Sequence, residues 1–185
     1  MKKVTGGPFI SLDGVVESPS EWQFDHFDEG IGAELQRFLE TIDTVVLGRK
    51  TYEDWKDYWP NATTNESFAA FINNAPKYVV STTLKSVEWG NFKNISLIKS
   101  NLAGAIDKLK RQPGKNIGVM GSPTLLRTML QSGLLDELIL MIHPVIVGKG
   151  KRLFTDGSTL QRLKLVTSEV SPTGVIIATY QPRDQ

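Results

Sequence analysis

The chain has 185 residues, 40% hydrophobic and 22% charged, the make-up of a soluble globular protein long enough for one proper core. Its 21 basic and 20 acidic residues leave a net charge of +1, which argues against a protein built to grip nucleic-acid backbones. With no cysteine and only His26 and His143, it has no disulfide, thiolate metal site, iron–sulfur cluster or cysteine nucleophile, and a multi-histidine zinc site is nearly excluded.

No run approaches the ~18 apolar residues of a membrane-spanning helix. The start, Met1-Lys2-Lys3, has a basic pair but no apolar stretch of a secretory signal, so a cytoplasmic setting is expected. The chain reads as one unit over residues 1–185, without repeats or linkers. Lys3 to Ser11 reads as a strand, stopped by the turn Leu12-Asp13-Gly14. A polar, aromatic-studded segment runs from Glu17 to Gly30, long enough to suggest a functional loop. Ile31, Leu35, Phe38, Leu39 and Ile42 recur at helical spacing, which predicts a helix over 31–42. Thr44 to Leu47 is a buried strand ending at Gly48. Thr51 to Trp59 and Glu66 to Asn74 read as helices. Strands follow at 78–80 and 94–99, and a helix at 102–109. Ile117 to Met120 is a strand. Ser122 then looks like an N-cap with Pro123 at the first helical position, and Gly133 ends that helix. Glu137 to Val147 is apolar on both faces apart from His143, which suggests a central strand. Two more strands are expected near 162–170 and 174–181. Strand–helix alternation followed by a strand pair gives α/β: a mixed, mostly parallel sheet between helices, with an antiparallel C-terminal pair.

Gly48-Arg49-Lys50-Thr51 sits where a buried strand gives way to a helix. Free N–H groups, a partial positive charge, two cations and a hydroxyl suit a phosphate or pyrophosphate there. An exposed basic helix start explains the motif equally well. Gly118-Val119-Met120-Gly121-Ser122-Pro123-Thr124 is a second such junction, and two junctions favour a dinucleotide over a lone phosphate. Neither the GxGxxG nor the Gly-Lys-Ser/Thr fingerprint is present. Ser81 and Thr82 close another strand, where turn chemistry alone accounts for them. Asp13 either orients substrate or relays a proton, or merely forms the Asp-Gly turn. Trp22, Phe24 and Phe27 either form a lid over a substrate or staple the loop to the core. His143 reads first as a satisfied core histidine and His26 as a surface residue.

In this order the pieces resemble the dihydrofolate-reductase-like superfamily, and within it the C-terminal reductase domain of the bifunctional riboflavin-biosynthesis deaminase–reductase and its stand-alone relatives. The resemblance covers the whole chain. It rests on Phe9-Ile10-Ser11-Leu12-Asp13-Gly14, Leu47-Gly48-Arg49-Lys50-Thr51-Tyr52-Glu53, Met120-Gly121-Ser122, Gly133-Leu134-Leu135-Asp136-Glu137-Leu138 and Pro144-Val145-Ile146-Val147-Gly148-Lys149-Gly150 with Leu153-Phe154. It implies the three-layer fold of that superfamily and an NADPH-dependent reductase. By that resemblance Arg49, Lys50 and Thr51 fall where the 2′-phosphate and pyrophosphate are held. Ser81 and Thr82 fall near the adenosine, and Gly121, Ser122 and Thr124 at the pyrophosphate turn. Asp13 falls by the nicotinamide. A homodimer face built from the Leu135–Val147 strand and the tail is expected, partly on the same ground.

Two departures separate the chain from folate enzymes. Gly32 stands where they carry a carboxylate, and Ala75 where they carry the arginine for the folate tail. Dihydrofolate is therefore a poor candidate substrate. The expected reaction is hydride transfer to a C=N or C=O carbon of a small heterocyclic or sugar-derived substrate, with orientation supplied by the protein. The alternatives are an inactive NADPH- or nucleotide-binding module, and a phosphate-binding protein of another α/β fold. No metal, nucleic acid or membrane partner is expected.

Overall fold

The computed structural model describes residues 1–183. The segment read as one strand from Lys3 to Ser11 is two, β1 (Val4–Gly6) and β2 (Phe9–Ser11). Pro8 has no N–H for a ladder. At residue 7 a Cβ would overlap the Ile139 carbonyl oxygen, so glycine lets the neighbouring backbone approach. The break costs no register: Thr5 pairs with Glu137 and Gly6 with Leu138, then Phe9 with Met141 and Ser11 with His143.

The aromatic segment holds two short 3-10 turns, Pro19–Glu21 and Phe24–His26. Helix α1 (Glu29–Thr41) starts two residues before the apolar periodicity, because the Asp28 side chain caps it by accepting from the Ile31 N–H at 3.1 Å. β3 (Ile42–Gly48) follows directly, and α2 (Arg49–Trp55) ends well before the expected Trp59. Pro60 disfavours helix at the residue before it, and Trp59–Asn61 is a 3-10 turn instead. Then come α3 (Glu66–Asn74), β4 (Lys77–Val80), β5 (Ile95–Ile98), α4 (Leu102–Lys110), β6 (Asn116–Val119) and α5 (Pro123–Gln131). β7 (Glu137–His143) stops at Pro144 rather than reaching Val147, and β8 (Leu163–Val170) and β9 (Ile176–Pro182) complete the chain. Among the described residues no helix is long and apolar enough to cross a membrane.

The sheet runs β5-β4-β3-β6-β1-β7-β9-β8, with β2 continuing beside β7. It is parallel from β5 to β7 and antiparallel through β7-β9-β8, the mixed α/β sheet expected. Period-two alternation divides the core. Val46, Val119, Leu138 and Leu140 pack with α4 and α5 on one face. Val45, Leu47 and Val79 pack with Tyr52, Ile72 and Trp89 on the other, and Met141 and Ile177 pack with Ile31 of α1. β8 forms the outer edge, and Leu165, Val166 and Val170 on it are exposed.

Of the two lysines buried among the described residues, Lys2 and Lys77, the second lies deeper. Lys77 is 1% exposed, and its Nζ donates to the carbonyl oxygens of Ile72, Asn73 and Ala75 and to Asn94 Oδ1 at 2.8–3.2 Å. It caps the carbonyl end of α3 and lies 5.1 Å from the centre of the Trp89 ring. Burial pulls its pKa down to about 8, which still leaves an ammonium at neutral pH.

Candidate functional site

The carboxyl ends of β3 and β6 meet. Gly48 N–H donates to the Gly121 carbonyl at 2.7 Å. A Cβ on Gly48 would lie 2.5 Å from Ser122 Oγ, and one on Gly121, where φ is +108°, would lie 2.6 Å from Thr51 Oγ1. The Gly121–Ser122 peptide is cis. Glycine at both places therefore lets two strand-to-helix junctions close on each other, which brings Gly48, Thr51, Gly121 and Ser122 into one surface. Ser122 occupies the N-cap position with extended backbone, but its hydroxyl makes no capping bond, contrary to the expected cap. Its Oγ faces Gly48 instead.

Beside this surface is a cavity of about 200 Å³, lined by Lys50, Ser122, Thr124, Arg127, Lys151 and Arg152 among others. The N-terminus of α5 opens into it. Lys50 pairs with Asp54 at 3.4 Å, Lys151 with Glu17 at 3.2 Å and Arg152 with Asp13 at 3.3 Å. Arg127 has no carboxylate partner among the described residues; it donates to the Leu153 carbonyl and Thr155 Oγ1. Such a wall can receive an anion by exchanging exposed, weak ion pairs for a phosphate. Arg49 lies outside this lining, exposed on the first turn of α2 and paired with Glu53 at 3.5 Å. Gly48 pairs with Val80 in the ladder, so Ser81 and Thr82 sit beside the start of α2. The buried Ser81 hydroxyl accepts from the Thr83 and Leu84 N–H groups, a turn role, while Thr82 is exposed.

Asp13 is a clasp. Its carboxylate accepts from Ser11 Oγ at 2.7 Å, Val147 N–H at 3.1 Å, Gly148 N–H at 2.9 Å and the Arg152 guanidinium. The Ser11 hydroxyl and the Val147 amide hold its pKa well below the usual carboxylate range, with Gly148 adding to them against partial desolvation. It is ionised throughout the neutral range, so the structure gives it a positioning geometry rather than that of a proton relay. It ties the exit of β2 to the loop after β7.

The lid residues divide. Trp22 is half-buried, with its ring centre 5.4 Å from that of His143, edge to face. Phe24 is 63% exposed, while Phe27, 41% exposed, packs against Phe9 of β2 with ring centres 6.5 Å apart. Every hydrogen bond of residues 18–25 among the described residues stays within residues 17–27. Packing alone lays that stretch on the sheet. His143 is not the satisfied core histidine expected, because its Nε2 has no partner. His26 is half-buried against it rather than on the surface.

Residues 2–177 match the RibD C-terminal domain family. The chain belongs to that family. The match removes the alternative of an unrelated phosphate-binding fold. A Bacillus subtilis (strain 168) relative, the uncharacterized protein YyaP, is 33% identical over 175 residues, 92% of this chain and 90% of its own length. Among solved structures, a Shewanella sp. PV-4 protein named for riboflavin biosynthesis superposes with a TM-score of 0.76 at 22% identity, covering 98% of this chain and 99% of that one. The Thermotoga maritima diaminohydroxyphosphoribosylaminopyrimidine deaminase/5-amino-6-(5-phosphoribosylamino)uracil reductase superposes at 0.68 with 16% identity, over 98% of this chain and 57% of that one. At these identities the two structures are likenesses of fold.

Within this RibD-type domain, the sequence reading singled out none of Arg127, Lys151 and Arg152. Arg127 follows Pro123 by four residues, which puts it on the same face of α5 as the helix start. That spacing was the available signal.

Proposed function

We propose that the chain is an NADPH-dependent reductase that passes hydride to a C=N or C=O carbon of a small heterocyclic or sugar-derived substrate. The closure of Gly48–Thr51 on Gly121–Ser122, beside a cavity walled by cations, carries this reading. At Gly48 and Gly121 the space a Cβ would need is filled by Ser122 and Thr51, so the glycines bring the two junctions together, and the free N–H groups at the start of α5, which opens on the cationic cavity, suit a pyrophosphate. Gly121, Ser122 and Thr124 with the α5 N-terminus would hold that pyrophosphate, and Lys50 would face it. Arg49, Lys50 and Thr51 would hold the 2′-phosphate and pyrophosphate between them, with Ser81 and Thr82 near the adenosine. Bound NADPH would supply the hydride. Asp13 fixes the mouth of the site, and the flap bearing Trp22, Phe24 and Phe27 excludes water on the substrate side. A second copy of the chain would cover the exposed apolar residues of β8, giving a homodimer.

Calorimetric titration with NADPH and NADH tests the cofactor. NADPH is expected to bind tighter, and Arg49→Ala to lose about ten- to a hundredfold in NADPH affinity, roughly 1.5–3 kcal/mol, with little change for NADH. Equal wild-type affinities would overturn the Arg49 assignment. Binding without substrate-dependent loss of NADPH absorbance across a metabolite mixture would favour the inactive binding module. Dihydrofolate is expected to fail as a substrate: Ala75 is buried at the end of α3 with its carbonyl on Lys77, and no cation occupies that position.

A further inference from the structure

The flap hangs between two ties. At its far end Thr173 holds it: the threonine Oγ1 lies 2.6 Å from the His26 carbonyl oxygen and 2.7 Å from Asp28 Oδ2, and the Thr173 N–H donates to the same carboxylate oxygen at 3.0 Å. At its near end the tie is Glu17. Oε2 of Glu17 accepts from the Lys151 N–H at 3.2 Å, and Oε1 pairs with Lys151 Nζ at 3.2 Å. The backbone carbonyl of Glu17 accepts from Trp22 Nε1 at 3.1 Å. One residue thus grips the 147–152 loop with its side chain and the indole with its backbone. Gly150, at φ +107°, makes the grip possible, since a Cβ there would lie 3.3 Å from Glu17 Oε2.

The two ties differ in what else they face. The Thr173 tie uses a hydroxyl, an amide and a carboxylate. The Glu17 tie borrows a cation that lines the cavity beside α5, together with Lys50, Arg127 and Arg152. The Lys151 and Glu17 side chains are 69% and 42% exposed, and such pairs are weak, so Nζ passes to a phosphate at little cost. Asp13 would lose less in the same exchange: without Arg152 it still accepts from Ser11, Val147 and Gly148, whereas the Glu17 carboxylate would keep only the Lys151 N–H. Val16 N–H donates to the Lys151 carbonyl at 2.9 Å, which fixes the backbone before the joint. Just after it, Ser18 has φ +46°, a left-handed conformation that serine keeps only where its surroundings impose it.

We propose that Glu17 is a positioning residue that couples the aromatic flap to the cationic cavity. While its carboxylate holds Lys151, the Trp22 indole stays edge to face with His143; an anion that takes Lys151 frees Glu17 and lets the indole shift. This rests on the reading of the cavity as the cofactor's phosphate site, and gives that site a second task. Phosphate arrives first, and the flap responds. The coupling is reciprocal, so a flap held in place weakens the anion by the same factor. The weakness of the exposed pair bounds that factor at about two- to fivefold.

The test uses inorganic pyrophosphate, which carries no ring that could touch the flap itself. It is titrated into the full chain while the indole N–H groups of the four tryptophans are followed by NMR, with Trp22→Phe to assign the Trp22 signal. Pyrophosphate is expected to move the Trp22 signal and to leave those of Trp55, Trp59 and Trp89 in place. Glu17→Gln keeps an oxygen for the Lys151 N–H but gives up the ion pair. It is expected to put the Trp22 signal, before any addition, where pyrophosphate puts it in wild type, and to bind pyrophosphate about two- to fivefold tighter by calorimetry. Calorimetric binding with an unmoved Trp22 signal overturns the proposal. Equal movement of that signal in wild type and Glu17→Gln overturns it as well, because the message would then bypass Glu17. Failure of wild type to bind either pyrophosphate or NADPH removes the reductase reading and this coupling together, whereas binding without movement of Trp22 removes the coupling alone.

Discussion

Lys77 and His143 are both buried polar side chains on strands, and they are treated in opposite ways. Lys77 meets four oxygens, three from the end of α3 and one from Asn94. His143 satisfies one nitrogen and leaves the other without a partner. The first sits far from the carboxyl ends of β2 and β7, at the start of its strand; the second sits at those ends. A polar group that serves the fold is fully paired, because its desolvation must be offset in the resting protein. A polar group left half paired carries part of that cost unoffset.

The largest effect that would sharpen this contrast is Lys77→Met. It strips the buried donor from α3's last carbonyls, and the expected loss is about 3 kcal/mol or more in denaturant unfolding. His143→Phe should change stability by less than about 1 kcal/mol, since it removes an unpaired atom along with one hydrogen bond. Comparable losses in the two variants would break the comparison.

Arg127→Ala should fall between these cases. Its partners are a carbonyl and a hydroxyl at the rim, so stability should hold while NADPH affinity drops about tenfold, roughly 1.4 kcal/mol. A melting temperature that falls with affinity unchanged would make Arg127 structural, like Lys77.

The pH dependence of stability separates the pair further. The His143 pKa in the folded protein lies below its ordinary 6.5, so folding resists its protonation. Its stability contribution is complete above that ordinary value and is lost as pH falls through the lower folded one. Wild type should therefore weaken relative to His143→Phe as the pH drops below about 6.5. Parallel unfolding curves for the two proteins across that range would remove the effect.

The smallest effect expected is on stability in Asp13→Asn, under about 1 kcal/mol, because an amide oxygen still accepts from two of the backbone and hydroxyl donors. Turnover, once a substrate is found, should fall more than NADPH affinity, since the carboxylate holds the 147–152 loop through Arg152. Full activity in the Asn variant would reduce Asp13 to a turn residue.

The fold was largely legible because its signals are local. Alternation of Val45, Val46 and Leu47 marks a strand covered on both sides, and Gly48 and Gly121 mark the junctions that face each other. Pro8 carried the signal for the broken first strand, but the apolar residues on either side of it masked the break. The partners of Lys77 lie only two to seventeen residues away, but their convergence on one ammonium, like the lack of a partner for His143, depends on how the chain folds back, and no spacing encodes that. Arg127 was hidden for a different reason: a cation on the polar face of an amphipathic helix reads as solvation until a loop from elsewhere closes against it.

The interruption at Gly7-Pro8 bends the chain without changing its phase. Phe9 stays on the α1 side and Ile10 on the α5 side, as if the strand had run on unbroken. Such a joint tolerates a change of residue far better than a change of count. One residue gained or lost there would exchange Phe9 and Ile10, empty a place in each core, and swing the wall of His143 to the opposite layer of the protein.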